Sequence, residues 1–225
     1  MDFIFMLTRG DMTVEDCLDV IELIRPVGLR HIGFKDMGVG PDTLRKLNDR
    51  IKAVGATSYM EVVSASHEAA LNSASVAAEI GVDRLLGGTD AEAMLTVVAG
   101  RDIELYPFPG RPQGHPTRLR GTAQDIADDC RRFRALGCAG VDLLAYRATD
   151  VDPLELVAAA RAALDGPLIV AGSVDSPERV RALARAGVDA FTVGAAAFNG
   201  SFSPRKGSLL SQLGDILATC ADRPA

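Results

Sequence analysis

Two residues of opposite charge, Lys35 and Glu61, stand in short runs of otherwise apolar and β-branched side chains. In the first run Ile32 and Phe34 alternate with Lys35, and in the second Glu61 follows the apolar Met60. Successive side chains of a β-strand point to opposite faces, so apolar partners packed against helices turn Lys35 and Glu61 the other way. Such a pair could move a proton, or it could be a structural ion pair. Burial and mutual attraction act oppositely on the lysine pKa, which leaves its protonation open.

Two pairs of small residues could bind an anion. Gly172 and Ser173 follow one short β-branched run, and Gly194 and Ala195 follow the next. A phosphate requires several backbone N–H groups that converge without side chains between them, which glycine and its neighbours allow. The alternative is that both glycines only make tight turns.

Further candidates to contact an anionic ligand come after predicted strands or lie in the long loop 107–121: Arg9, Tyr146, Arg147 and His115. For a lone arginine in this position, a solvated loop charge is the simpler alternative. Asp36 and Asp90 are candidates for acid–base chemistry or for recruiting a metal, and either could equally cap a helix. The sequence contains no HExxH or CxxC pattern, so we expect no built-in metal site.

These residues lie on a regular alternation of apolar runs and amphipathic stretches. The predicted strands cover residues 3–8, 31–35, 58–63, 84–87, 103–108, 142–146, 168–171 and 190–193. The predicted helices begin near Thr13, Asp42, Ser66, Ala91, Thr122, Pro153, Pro177 and Ser208. Strict strand–helix alternation predicts a parallel sheet covered by helices, and eight units favour one closed (β/α)8 TIM barrel over residues 1–225.

A spaced motif supports the barrel. A glycine followed by an apolar and a polar residue introduces predicted strands 2, 4, 6 and 8, beginning at Gly28, Gly81, Gly140 and Gly187. This spacing is expected of a barrel built from doubled units, although Gly-Val-Asp is also a common turn. The loop 107–121 contains four prolines and therefore cannot be helical, and we expect it to cover the active-site face of the barrel.

The segment AGSVDSPERVRALARAGVDAFTVGAA, residues 171–196, resembles the final βαβ unit of the ribulose-phosphate-binding barrels. These barrels include the isomerases of histidine and tryptophan biosynthesis, pentulose-phosphate epimerase and N-acetylmannosamine-6-phosphate epimerase. The resemblance is specific over about residues 168–197. It implies a (β/α)8 barrel in which a phosphate binds at Gly172, Ser173, Gly194 and Ala195.

Composition narrows the class of protein. A net charge of −6 argues against nucleic-acid and anionic-membrane partners, because both require an extended basic surface. None of the four cysteines lies in a CxxC pair, which favours a reducing, cytoplasmic setting. The first eleven residues have neither a basic leader nor an apolar run long enough for a signal peptide or membrane span.

The sequence predicts an enzyme that acts on a phosphorylated sugar or sugar acid, an isomerase or epimerase in which Lys35 and Glu61 transfer protons without a cofactor. The first alternative is a lyase of the class I aldolase type with Lys35 as its Schiff-base lysine. Several barrel aldolases carry that lysine on strand 6, where this chain has Tyr146. The second alternative is a non-catalytic phosphometabolite-binding barrel. The sequence leaves open the substrate and whether the chain forms homo-oligomers.

Overall fold

The computed structural model describes residues 1–63, 66–114 and 116–222, and in these ranges eight parallel strands form one barrel-shaped sheet. The strands are β1 (Asp2–Met6), β2 (His31–Lys35), β3 (Thr57–Val62), β4 (Arg84–Gly87), β5 (Glu104–Tyr106), β6 (Val141–Leu143), β7 (Leu168–Val170) and β8 (Ala190–Val193). Paired neighbours run β6–β7–β8–β1–β2–β3–β4–β5. Backbone hydrogen bonds of 3.1 Å from Ala139 N to Leu105 O and from Asp142 N to Pro107 O join the remaining edges. The (β/α)8 barrel predicted from the alternation is confirmed.

Helices cover the outside of the barrel. They are α1 (Cys17–Ile24), α2 (Pro41–Ala53), α3 (His67–Ile80), α4 (Ala91–Val97), α5 (Ala123–Leu136), α6 (Pro153–Ala163), α7 (Pro177–Arg185), α8 (Ala195–Phe198) and α9 (Leu209–Ala221). Hydroxyl caps begin several of them: the Ser66 side chain accepts from Ala69 N, and Ser176 from Arg179 N. No helix in the described residues is both long and apolar enough to cross a membrane.

The predicted start of the first helix at Thr13 is wrong. Thr13 instead pairs with Thr8 in a two-stranded β-hairpin, and α1 begins at Cys17. The hairpin turns at Gly10 and Asp11, both with positive φ (55° and 60°), as a tight two-residue hairpin loop requires. The Thr13 hydroxyl fastens the hairpin to the barrel, because it donates to Lys35 O and accepts from Lys35 N at 2.8 Å each.

The barrel interior is filled at its lower, amino-terminal end. Tyr59 and Tyr106 are buried there with apolar side chains of β1, β4 and β7. The Tyr59 hydroxyl lies 3.0 Å from His31 Nδ1 and accepts a hydrogen bond of 2.5 Å from Arg84. His31 is therefore a hydrogen-bonded histidine at the lower end of the barrel. Because this end is closed by packed side chains, the carboxyl ends of the strands form the accessible rim.

The proline-rich loop after β5 forms a second antiparallel β-hairpin, in which Arg111–Gln113 pairs with Arg118–Arg120. Leu119 forms an isolated β-bridge with Ala148, in the segment that follows β6. Two of the basic side chains of this hairpin have acidic partners: Arg111 lies 3.4 Å from Asp125, and Arg120 pairs with Asp150. The hairpin thus lies over the rim, held by contacts on its β6 side.

The repeated glycine motif is out of register at its third copy. Gly28, Gly81 and Gly187 have left-handed backbone (φ 67°, 72° and 75°), and each precedes its strand by three residues. Gly140 directly precedes β6, and Gly137, with φ 95°, is the residue that ends α5. Gly140 therefore does not end a helix, unlike the other three glycines of the motif.

This shift changes the position of the aspartate in the motif. Asp83 and Asp189 lie just before their strands and accept backbone hydrogen bonds of 2.8 Å from Ser58 N and Leu168 N. Asp142 instead lies inside β6. The predicted strand 142–146 also ends early, because β6 stops at Leu143 and the chain turns into a 3₁₀ helix, Ala145–Arg147.

Gly140 is required for close packing rather than for its backbone angles. A Cβ added there would collide with the carbonyl oxygen of Pro167 and approach Tyr106 Cε1 to 2.9 Å. We predict that Gly140→Ala lowers the free energy of unfolding by about 1–3 kcal/mol, because rigid backbone must move. In the matched control, Gly214→Ala in α9, the added Cβ meets no atom within 4 Å. That change should stabilise by about 0.5–1 kcal/mol. Urea unfolding measures both, and equal effects at the two sites would contradict the packing argument.

Candidate active site

A cavity of about 490 Å³ opens at the carboxyl rim of the barrel. Its lining includes the predicted pair, Lys35 and Glu61, and all four residues of the predicted phosphate site. The latter are Gly172, Ser173, Gly194 and Ala195. Thus residues from β2, β3 and the ends of β7 and β8 border the same space.

Lys35 and Glu61 form part of a chain of buried charges. Lys35 Nζ lies 2.8 Å from Asp11 Oδ1 and 3.0 Å from Glu61 Oε1. Arg147 Nη1 and Nη2 donate to the two oxygens of Asp11 at 2.8 and 2.7 Å. The side chains of Lys35, Asp11 and Glu61 are each less than a tenth exposed. The order Arg147–Asp11–Lys35–Glu61 alternates in sign, which offsets the cost of burying each charge.

This arrangement determines the protonation of the lysine. Burial alone would lower the pKa of Lys35, but the negative charges of Glu61 and Asp11 outweigh burial and raise it. Burial acts to raise the pKa of Asp11, and the hydrogen bond from Arg147 together with the charge of Lys35 lowers it well below its usual range. Lys35 is therefore an ammonium and Asp11 a carboxylate at neutral pH.

Asp142 adds a third carboxyl group to the lumen. It is fully buried, and neither of its oxygens has a hydrogen-bond partner among the described residues. Its strand partner is Ile169, which belongs to the barrel interior. Burial, and then the negative charge of Glu61, raises the pKa of Asp142 well above its usual value. The group is accordingly a neutral acid beside two cations and two carboxylates.

Strand parity could have found Asp142 in the sequence, because Val141 and Leu143 on either side of it are apolar and face the helices. Asp11 offered less signal, since its position depends on the hairpin that places it over β2.

The glycine corner, formed by Gly172, Ser173, Gly194 and Ala195, lies where side chains on the two glycines would not fit. A Cβ at Gly194 would lie 2.5 Å from Thr8 Oγ1, and one at Gly172 would collide with the Arg147 guanidinium. Gly172 also has a φ of 76°, and Ser173 follows it with a φ of 57°. In the described part of the chain, Ser173 and Asp11 are the two non-glycine residues with positive φ, and both line this cavity. Backbone held in a sparsely populated conformation is frequent at ligand sites.

Two predicted binding residues lie elsewhere. Arg9 is exposed, with its guanidinium 4.8 Å above the Phe198 ring, because β1 ends at Met6 and the following hairpin turns this side chain away from the cavity. The Tyr146 ring lies 4.6 Å beneath Arg179 and does not line the cavity, because the 3₁₀ turn replaces the predicted strand. Residue His115 falls outside the described residues.

The two aspartates considered for metal binding instead accept hydrogen bonds from neighbouring parts of the chain. Asp36 accepts hydrogen bonds from Val63 N (3.1 Å) and Ser73 Oγ (2.6 Å). Asp90 caps α4 by accepting from Ala93 N at 3.1 Å. Across residues 1–63, 66–114 and 116–222, no group of three or more His, Cys, Asp or Glu side chains is placed to hold a metal ion.

Similar solved structures share this architecture. Orotidine 5'-phosphate decarboxylase from Pyrococcus horikoshii OT3 superposes with a TM-score of 0.68 at 14% identity, covering 98% of this chain and 100% of that one. The structure of 3-hexulose-6-phosphate synthase superposes with a TM-score of 0.64 at 17% identity, covering 97% of this chain and 99% of that one. The structure of a putative deoxyribose-phosphate aldolase from Coccidioides immitis superposes with a TM-score of 0.62 at 14% identity, covering 87% of this chain and 79% of that one. At such identities the likeness establishes the fold alone. No protein-family model and no curated protein sequence matches the chain.

The neutral state of Asp142 has a consequence for stability. The unfolded chain loses this proton near the ordinary carboxyl pKa of about 3.9, whereas the folded protein keeps it to higher pH, so unfolding is favoured as pH rises through that interval. We predict that Asp142→Asn is more stable than the unmodified protein at neutral pH, and that the difference disappears below about pH 4. Urea unfolding across this pH range measures it. The exposed control Asp102→Asn should show no such trend, and parallel profiles for all three proteins would contradict the neutral-acid assignment.

Proposed function

We propose that this protein is an enzyme that acts on a phosphorylated small metabolite and transfers a proton next to a carbonyl group, as an isomerase or epimerase does. One observation carries the proposal: the buried Lys35–Glu61 pair and the glycine corner at Gly172 and Gly194 border one cavity. Such an arrangement holds the substrate by one end while placing a base and an acid beside the other.

The phosphate is proposed to bind at the ends of β7 and β8. Gly172 and Gly194 leave the backbone of Ser173 and Ala195 accessible to an anion, and this corner is the recurrent phosphate position of the fold. Two similar structures, orotidine 5'-phosphate decarboxylase and 3-hexulose-6-phosphate synthase, are named after phosphorylated compounds. This agreement supports the substrate class without specifying the reaction.

The proposed reaction uses the charges already paired in the cavity. Glu61 takes a proton from the carbon beside the substrate carbonyl, and the Lys35 ammonium stabilises the resulting enolate oxygen. If the Lys35 ammonium then donates a proton to the other face of the same carbon, the product is the epimer, and proton transfer from Glu61 to Lys35 restores both groups. If Glu61 instead gives its proton to the neighbouring carbon while the hydroxyl proton passes to the enolate oxygen, the product is the isomer. Asp11 keeps Lys35 charged and in place throughout, and Arg147 holds Asp11.

The protonation state of Lys35 favours this reaction over a Schiff-base mechanism. A lysine nucleophile must be a neutral amine, whereas the carboxylates of Glu61 and Asp11 raise the pKa of Lys35 and keep it protonated. A binding protein without catalysis would need the glycine corner but not a lysine and a glutamate buried in the cavity. Cytoplasmic location stays a prediction from the sequence, which leaves homo-oligomer formation open.

The phosphate site is tested by adding a negative charge. We predict that Gly194→Asp abolishes binding of inorganic phosphate and of glycerol 3-phosphate, because the carboxylate repels the anion and its Cβ approaches Thr8. Gly40→Asp is the matched control, since Gly40 is exposed and begins α2, where aspartate is favoured. Isothermal titration calorimetry measures affinity. A folded Gly194→Asp variant that binds phosphate as well as the control would refute the site.

The proton-transfer step is tested with Lys35→Met. Phosphorylated aldoses, ketoses and sugar acids are screened in D₂O, and NMR detects exchange of the hydrogen beside the carbonyl. We predict a loss of exchange of about 10²-fold or more in Lys35→Met and none in Lys46→Met, whose side chain is exposed on α2. Full exchange per folded Lys35→Met molecule, accompanied by a lower melting temperature, would instead identify a structural ion pair. Borohydride trapping of substrate on Lys35 would establish the lyase alternative.

A further inference from the structure

We propose that a second cavity, at the ends of β3, β4 and β5, binds the uncharged, hydroxyl-bearing end of the substrate whose phosphate lies at the ends of β7 and β8. The proposal rests on the proposed function and specifies its substrate class. It assigns to the enzyme an open-chain or ring sugar phosphate whose far end bears hydroxyl groups and no second charge.

The second cavity continues from the first. It has a volume of about 230 Å³, and Glu61 lines both cavities. The hairpin after β5 also borders both, because Pro116 lines the first cavity while Gln113 and Thr117 line the second. Arg147 of the charge chain donates to the Thr117 carbonyl at 3.2 Å, which holds the hairpin over the junction. A ligand that extends from the glycine corner past Glu61 therefore reaches the second cavity.

The lining of this cavity selects an uncharged group. Hydrogen-bonding side chains along it include Ser66, Thr89, Gln113 and Thr117, all of which are neutral. No lysine or arginine is among the described residues of the lining. A terminal phosphate or carboxylate would instead meet Glu61 without a free cation to balance it.

Both acidic groups of the lining already have partners. Glu61 pairs with Lys35, and Asp90 Oδ2 lies 3.0 Å from His67 Nδ1. This contact orients the His67 ring at the cavity wall. A cationic ligand end would therefore compete with Lys35 for Glu61 and with His67 for Asp90, whereas hydroxyl groups can add hydrogen bonds without breaking these contacts.

Apolar surface completes the cavity. Val62, Ala70, Phe108 and Pro112 line it beside the neutral polar groups. Gly87 allows Phe108 to lie here, since a Cβ at Gly87 would approach the Phe108 ring to 2.8 Å. The volume corresponds to about eight water molecules, enough for several carbon atoms with their hydroxyl groups. With Glu61 at the junction, the reacting carbon lies between the phosphate and the polyol end.

Four probes test this assignment by calorimetry: inorganic phosphate, glycerol 3-phosphate, sorbitol 6-phosphate and 6-phosphogluconate. We expect sorbitol 6-phosphate to bind at least about tenfold more tightly than glycerol 3-phosphate, because only the longer polyol reaches the second cavity. We expect 6-phosphogluconate, which has the same carbon-chain length but a carboxylate end, to bind at least about tenfold more weakly than sorbitol 6-phosphate.

Variants of residues that line the second cavity then test whether that cavity contributes to sorbitol 6-phosphate affinity. Ala70→Leu adds bulk to the second cavity and should weaken sorbitol 6-phosphate binding about tenfold while leaving inorganic phosphate within about twofold. Ala69→Leu, on the same helix turn but outside the lining, is the matched control and should leave both affinities unchanged. Thr89→Val removes one hydroxyl at nearly constant volume and should weaken sorbitol 6-phosphate about fivefold, so the test stands even if Ala70→Leu fails to fold.

Failure of this inference differs from failure of the proposed function. If inorganic phosphate does not bind, or binds equally to Gly194→Asp, the phosphate site is wrong and the proposed function fails with the subsite. If phosphate binds as expected but sorbitol 6-phosphate gains nothing over glycerol 3-phosphate, the second cavity is not a polyol subsite. Equal or tighter binding of 6-phosphogluconate would likewise overturn the uncharged-end assignment, as would an unchanged sorbitol 6-phosphate affinity in both folded variants.

Discussion

The carboxylate of Asp11 binds two buried cations, Lys35 and Arg147, and the rest of the site depends on these contacts. Asp11 comes from the hairpin after β1, Lys35 from the end of β2 and Arg147 from the turn after β6. One carboxylate therefore joins three distant parts of the rim. Without it, two cations would face one carboxylate, Glu61, in a space that water reaches only through the cavity, and such burial is costly.

Charge balance also accounts for the state of Asp142. Lys35 and Arg147 are already matched by Asp11 and Glu61, so an ionised Asp142 would leave one negative charge uncompensated inside the barrel. The folded protein instead keeps this carboxyl group protonated. The lumen thus holds a balanced set of charges and one neutral acid, an arrangement that supplies both a base and proton donors within a small volume.

The shape of the opposite side of the rim, at the ends of β7 and β8, depends on backbone conformation rather than on charge pairing. Gly172 and Gly194 allow the chain to pass closely by Arg147 and Thr8, and Ser173 adopts a left-handed conformation beside them. Thr8 and Arg147 belong to the same two segments that hold Asp11. The glycine corner and the charge chain are consequently built from shared segments. This places the proposed binding site of the substrate phosphate next to the groups that are proposed to react with the substrate.

The sequence by itself determined the alternation of strands and helices, the inward direction of Lys35 and Glu61, and the glycine corner. These features depend on local periodicity and on backbone sterics, which neighbouring residues encode. It could not locate Asp11 or exclude Arg9 from the cavity, since the turn at Gly10 decides both. It misplaced Tyr146, because β6 pairs with β7 only over Val141–Leu143, an extent that the local sequence does not encode. Only the tertiary structure decided which charges meet, because pairing across a closed barrel joins residues far apart in the chain.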